Sequence, residues 1–331
     1  MELPIELIQH CFSYMEFIDK VHFIQTCSLV NYSCLITDFY NIPYLYKSKL
    51  TDDIIMNKWY IESLDTSCNL VKNIEHLRHL KRLDCGGFSK IIYSDLKKLN
   101  LVMLDLSYNR TIKKIPQMTK LKELKLRGNC VIGNREIAHI NVAKLDIYCN
   151  HLITNISHMT KLKSLSCGNS HALDNSDIKL LNLKELFIIN DSKITDISHM
   201  NRLKRLTCCG WNSLRETDLF NLNLSYLDLS NNSRIRSIPS MSNLKHLVCR
   251  GNSAINNESI KNINVEILDV TDNPNITEIS HMTRLRILIC QGLSGISDKS
   301  IQGLKLFRIH SRFNKKVTEK KYLSGRFRSS V

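Results

Sequence analysis

Apolar residues recur along most of the chain in one pattern, L-x-x-L-x-L, with Val, Ile, Cys or a polar residue replacing Leu in places. Units start at Leu80, Leu101, Leu121, Val142, Leu162, Leu183, Leu203, Leu224, Leu244, Val265, Leu285 and Leu306, in steps that alternate between 21 and 20 residues. The true period is therefore 41: Ser157-His158-Met159 returns as Ser198-His199-Met200 and as Ser280-His281-Met282. Alternation over x-L-x-L predicts a short strand in each unit, with Leu104 and Leu106 inward and Met103, Asp105 and Ser107 outward. After the strand the units differ. Ile112, Ile115 and Met118, spaced by three, predict an extended or 3-10 return, whereas residues 257–263 predict one or two helical turns. A single unit cannot bury its own apolar face, so the units must stack, strand beside strand, around a shared core. Three residues after the last apolar position stands an Asn in many units: Asn109, Asn129, Asn150, Asn232, Asn252 and Asn273. Each is expected to turn inward and pair backbone groups that the turn leaves open.

The first fifty residues follow another rhythm. Leu7, Ile8, Cys11 and Phe12, behind Pro4, make an apolar stripe at helical spacing; Asp19 starts a second helix with Val21, Phe23 and Ile24, and a third runs through Cys34 and Leu35. The expected organisation is a three-helix module over 1–50 and a linker and cap over 51–79. The solenoid of about 12 units follows over 80–311, and a basic tail over 312–331. The cap carries a degenerate unit, Ile61, Leu64 and Thr66 followed by Asn69.

Charge adds a direction to this picture. The chain carries a formal +15, and from Leu306 to the end stand eight basic residues against Glu319 alone. Acidic partners are favoured. No apolar run is long enough for a membrane span, and the start, Met1-Glu2-Leu3-Pro4, lacks the basic region of a secretory signal. The expected location is intracellular and cytoplasmic, with the nucleus open.

Candidate chemistry reduces mostly to packing. Cys167, Cys208, Cys249 and Cys290 repeat every 41 residues in the inward position that Cys85 also holds. Cysteines on alternate strands stand roughly 10 Å apart, too far for a disulfide. The same spacing separates His158 from His199 too widely for one metal ion, so these histidines and His281 are read as turn caps or packed residues. Asp105, Asp146, Asp228 and Asp269 recur on the outward face, where a periodic row lacks the distinct environments that acid–base catalysis needs. They are read as solvated or backbone-bonded. Lys120, Lys122, Lys161, Lys163, Arg202, Lys204, Lys245, Arg284 and Arg286 should form a positive edge beside the strand starts. No phosphate loop, nucleophile elbow or metal-ligand pair appears, so no catalytic, cofactor or metal residue is assigned. Specificity should reside in the outward positions that vary most: Tyr148, Phe187, Ile189, Tyr226, His246, Arg250, Ile289, Gln291 and His310. Phe187 with Ile189 is the expected apolar anchor.

The unit resembles the leucine-rich repeat, L-x-x-L-x-L-x-x-N/C, over Leu80 to Leu306. The resemblance implies an α/β repeat, a solenoid with a curved parallel sheet and short 3-10 or helical returns. The N-terminal module resembles an F-box. That family's Leu-Pro-x-Glu-Leu falls on Leu3, Pro4, Glu6 and Leu7, its Phe-Ser-Tyr-Leu step on Phe12 to Met15, and its closing Pro-x-Leu-Trp-Lys-x-Leu on Pro43, Leu45, Tyr46, Lys47 and Leu50. Tyr46 replaces the usual Trp, and no Trp follows Cys27. F-boxes dock the Skp adaptor of cullin-RING ubiquitin ligases, which implies Leu3, Pro4, Leu7, Ile8 and Phe12 as adaptor contacts and the repeats as receptor for a target protein on their concave face. The order of modules and the regular doublet are also similar to F-box/leucine-rich-repeat paralogues of giant DNA viruses. The alternative is a scaffold with no ubiquitin role, holding an acidic protein or, less favoured, nucleic acid by its basic edge.

Overall fold

Each L-x-x-L-x-L unit contributes one short strand, and every observed pairing is parallel and in chain order, as stacking of like units requires. The computed structural model describes residues 5–24, 35–56, 60–191 and 193–318. These fall into two compact units, Met1–Val142 and Ala143–Val331.

In the first unit the strands are β1 (Asp38–Phe39), β2 (Ser63–Asp65), β3 (Arg82–Asp84), β4 (Met103–Asp105) and β5 (Glu123–Lys125). Leu64, Leu83, Leu104 and Leu124 lie in register along one row, all fully buried. The degenerate unit is thus a true member of the sheet. Two helices precede it, α1 (Ile5–Ser13) and α2 (Phe17–Ile24). The third expected helix lies mostly outside the described residues, and 35–37 is not helical; β1 follows and pairs with β2, so the chain enters the sheet before residue 50.

In the second unit run β6 (Lys144–Asp146), β7 (Ser164–Gly168), β8 (Glu185–Ile189), β9 (Arg205–Cys209), β10 (Tyr226–Asp228), β11 (His246–Val248), β12 (Ile267–Asp269), β13 (Ile287–Ile289) and β14 (Arg308–His310). Cys167, Cys208, Cys249 and Cys290 are at most 1% exposed in its core. Each acts as a small apolar residue. The stretch 312–318, expected as tail, instead completes the last repeat: Asn314 is buried and donates to the carbonyls of Cys290 and Ile296 at 2.9 and 3.0 Å.

The inward asparagines are lateral rungs. The Nδ2 of Asn109, Asn232 and Asn273 donates to the carbonyl of Cys85, Cys208 and Cys249, respectively, in the preceding repeat at 2.6 to 2.8 Å. Asn129 and Asn252 depart from the expectation and are exposed. Their repeats lead into helical returns, Asn134–Ile137 and Asn257–Ile260, and use one more residue before turning inward, so Cys130 and Ser253 are buried instead. The returns are tied as well. Asn175 Oδ1 accepts the amides of Thr195 and Asp196, and Asn257 Oδ1 those of Thr277 and Glu278, one repeat on. His199 and His281 donate Nε2 to the carbonyls of Ile178 and Ile260, the turn-capping role expected of them, and His76 does the same to Ile55.

Candidate functional site

Helix α1 carries two apolar stripes. Ile8 is half-buried and Phe12 is 5% exposed, its ring 6.1 Å from that of Phe23. Leu7, Cys11 and Tyr14, at spacings of four and three, face outward; Leu7 is 45% and Tyr14 78% exposed. Phe12 is therefore corrected from an adaptor contact to part of the module's core, because its side of the helix closes onto α2. Leu3 and Pro4 lie outside the described residues. The spacing of Leu7, Cys11 and Tyr14 was available in the sequence, which mixes both stripes in one apolar run. Beside Phe12, the start of α2 and residues 35–43 border a groove of about 710 Å³.

The module is joined to the first strands through polar groups. Lys47 pairs with Asp65 on β2, and the Arg82 guanidinium on β3 lies 5.0 Å from the Tyr40 ring centre. Asp65, Asp84 and Asp105 are register neighbours on β2, β3 and β4. Each accepts the amide two residues on, at 2.8 to 2.9 Å. Burial first, then the charges of Asp105 and Asp65, push the Asp84 carboxyl up to about 7. Asp65 was not recognised as part of the outward row in the sequence, because its repeat is degenerate.

On the second unit the expected target residues occupy the outward face. Phe187 and Ile189 share β8 and are half-buried, and Phe187 lies in register with Ser166 and Thr207. The rings of Tyr226 and His246, on β10 and β11, meet edge to face at 4.8 Å. Arg205, which the sequence reading passed over, covers the Tyr226 ring at 4.2 Å. Burial and then the Arg205 charge hold the His246 imidazole below its ordinary pKa. Arg250 clasps the buried Asp269 through Nε and Nη2 at 2.9 and 2.6 Å. Ile289 and Gln291 are half-buried at β13, and His310 is exposed on β14. Tyr148 hydrogen-bonds Asn169 and stands apart from the Phe187 group, two strands before it. Asp146 and Asp228 accept the amides of Tyr148 and Ser230 at 3.2 and 2.9 Å, the backbone-bonded role expected for this row.

The stacked L-x-x-L-x-L strands, inward asparagines and short returns define a leucine-rich-repeat protein. Residues 1–41 match the F-box domain model, so an F-box heads the repeats. No curated protein matches the chain. Among solved structures, a chain of the Rad7 and Elc1 complex of yeast is 16% identical, covering 97% of this chain and 96% of that one, with a TM-score of 0.51. An internalin (inlF) of Listeria monocytogenes is 20% identical over 80% of this chain and 84% of that one, TM-score 0.41. A leucine-rich-repeat protein of Leptospira interrogans is 17% identical over 94% and 91%, TM-score 0.44. The likeness to the yeast chain is one of fold.

Proposed function

We propose that the protein is a non-catalytic substrate-recognition adaptor of a cullin-RING ubiquitin ligase, its F-box docking a Skp-type adaptor and its repeats holding a target protein. The observation that carries this reading is the F-box match over 1–41 coinciding with an unburied apolar stripe, Leu7, Cys11 and Tyr14, on α1. The fold match to a chain from a two-protein complex is in keeping with it. The mechanism is proximity: a target held beside the ligase experiences a raised effective concentration of the transfer machinery, and the chain itself makes and breaks no bond. Such a protein works in the cytoplasm, the host's if the likeness to giant-virus paralogues reflects its origin.

Co-purification with a Skp-type adaptor tests the proposal. Leu7→Asp with Tyr14→Asp changes only exposed side chains and is expected to keep the thermal transition while losing the adaptor. Phe12→Ala removes a core ring at a cost of about 3–5 kcal/mol and therefore reports on folding rather than docking. Undiminished capture by the Leu7/Tyr14 variant would overturn the adaptor reading. The scaffold alternative draws on the exposed Lys163, Lys204, Lys245 and Arg286 at the strand starts of the second unit, and predicts acidic-ligand binding with no adaptor present.

A further inference from the structure

On the outward face of β6 to β14, each carboxylate is satisfied within the sheet, and the exposed charges are all cationic. Asp269 is buried beneath Arg250, and Asp228 accepts the amide and hydroxyl of Ser230 at 2.9 and 2.6 Å. Asp146 accepts the Tyr148 amide, and Glu185 the Ser164 hydroxyl at 3.0 Å. None of these four is exposed, whereas Lys144, Arg205, Arg250, Arg308 and Arg312 are. Only Arg250 among these five cations is ion-paired within the described residues. The four carboxylates put negative charge among the cations of β6 to β12, but within the described residues none pairs with Arg308 or Arg312, so the β14 end of the face presents unpaired positive charge.

These cations are set among apolar groups in a definite order. Phe187 and Ile189 stand on β8, half-buried Ile267, Ile287 and Ile289 on β12 and β13, and Arg308 and His310 on β14, with Arg312 just beyond. Six strand steps of about 4.8 Å put β8 roughly 29 Å from β14, the span of about nine residues of extended chain. Aliphatic side chains between the charged positions suit a polypeptide. A single-stranded nucleic acid would need successive free aromatic faces for its bases, whereas the Tyr226 ring already carries Arg205 on its face and His246 against it, which leaves Phe187 alone among the Phe, Tyr and Trp rings of strands β8 to β14.

We infer that this face takes an extended, acidic polypeptide segment of about nine residues, with a bulky apolar side chain on Phe187 and Ile189 and anionic side chains at Arg308 and Arg312. The inference rests on the proposed function, in that it names the chemistry of the target. The anionic oxygens can come from Asp and Glu or from a phosphorylated residue.

The test is selection of a random nonapeptide library on the full chain at physiological salt, followed by fluorescence anisotropy of the enriched peptides. Enriched peptides should be net negative with one large apolar residue. The Arg308→Glu/Arg312→Glu variant should bind them at least about ten-fold more weakly, and Lys122→Glu, in the other unit, should match the wild type. Replacing Glu by phosphoserine, and separately by Gln, distinguishes phosphate from carboxylate as the source of charge; loss on Gln supports the inference in either case. Neutral or basic enriched peptides, no enrichment, tighter binding of a single-stranded oligonucleotide, or binding that survives the double charge reversal would each overturn it. Adaptor co-purification by the same variants separates the two readings: the charge reversal should leave it intact, and peptide binding without adaptor capture would sink the ligase role alone.

Discussion

Asp84 is the most perturbed carboxylate on the first unit's sheet face, and removing its charge should stabilise the protein in a pH-dependent way. It lies in register between Asp65 and Asp105; Lys47 pairs with Asp65, and Lys125 approaches Asp105 at 3.8 Å. Asp84 itself accepts the Gly86 amide at 2.9 Å. Burial, followed by Asp105 and Asp65, raises its pKa from 3.8 to about 7. Between those values the folded state holds a proton that the unfolded chain has released. Stability therefore rises as pH falls from about 7 toward 4, and is lowest above 7. About three pKa units at 1.36 kcal/mol each set an upper bound of roughly 4 kcal/mol. Asp84→Asn keeps an acceptor for Gly86 and abolishes the charge. It should gain about 2–4 kcal/mol near pH 8, shrinking to about 1 kcal/mol or less near pH 4.5. Urea unfolding across this range measures the whole chain. Hydrogen exchange at the amides of Cys85 and Leu106, which bond to Asp105 and Lys125, reads the site itself. Parallel pH profiles for the two proteins, or a less stable variant near pH 8, would refute the reasoning.

Other expectations follow from the same packing. Gly128 has a φ of 64°, and a Cβ there would lie 2.2 Å from the Tyr108 ring, so Gly128→Ala should cost about 1–3 kcal/mol; an unchanged melting temperature would contradict this. Asn273 donates to the carbonyls of Cys249 and Ile255 at 2.8 and 3.3 Å in the core, and Asn273→Ala should cost about 2–3 kcal/mol by urea midpoint, against less than about 0.5 for the exposed Asn252→Ala. Burial pushes the thiols of Cys167, Cys208 and Cys249 up and shields that of Cys290, so a disulfide reagent at neutral pH should label exposed Cys11 quickly and these four only on unfolding. Rapid labelling of any of the four would place it outside the core.

The interior was legible because the repeat imposes it. A residue returning every 41 positions meets the same neighbours each time, so the inward cysteines, the capping histidines and the strand in each repeat followed from spacing alone. Legibility failed where a position has no periodic copy to compare. Phe12 and Leu7 look alike in sequence, and only the packing of α1 on α2 separates the core ring from the exposed one. Asn129 and Asn252 failed for another reason. The last apolar position was a sound origin, but the distance from it to the inward turn depends on the kind of return that follows, and a helical return needs one residue more.

Periodicity also decides where function can be written. Inward residues are answerable to two neighbouring repeats at once, which leaves them little freedom beyond Leu, Ile, Val or Cys. Outward residues are answerable only to the solvent or a partner, and in the second unit they run Asp146, Ser166, Phe187, Thr207, Asp228, Val248, Asp269, Ile289 and His310 along one row; the aspartates return at 41, but Phe187 and His310 stand where that period calls for Asp, and the alternate positions change from Ser166 and Thr207 to Val248 and Ile289. Selection for stacking cannot produce that irregularity, because stacking is indifferent to it. Nor does solvation account for half-buried Phe187 and Ile289 in such a row, since exposing part of each apolar side chain forfeits roughly 25 cal/mol for every Å² left in water. A partner that covers them recovers that energy. The aperiodic positions of this row are thus the part of the fold whose sequence is best explained by what it binds.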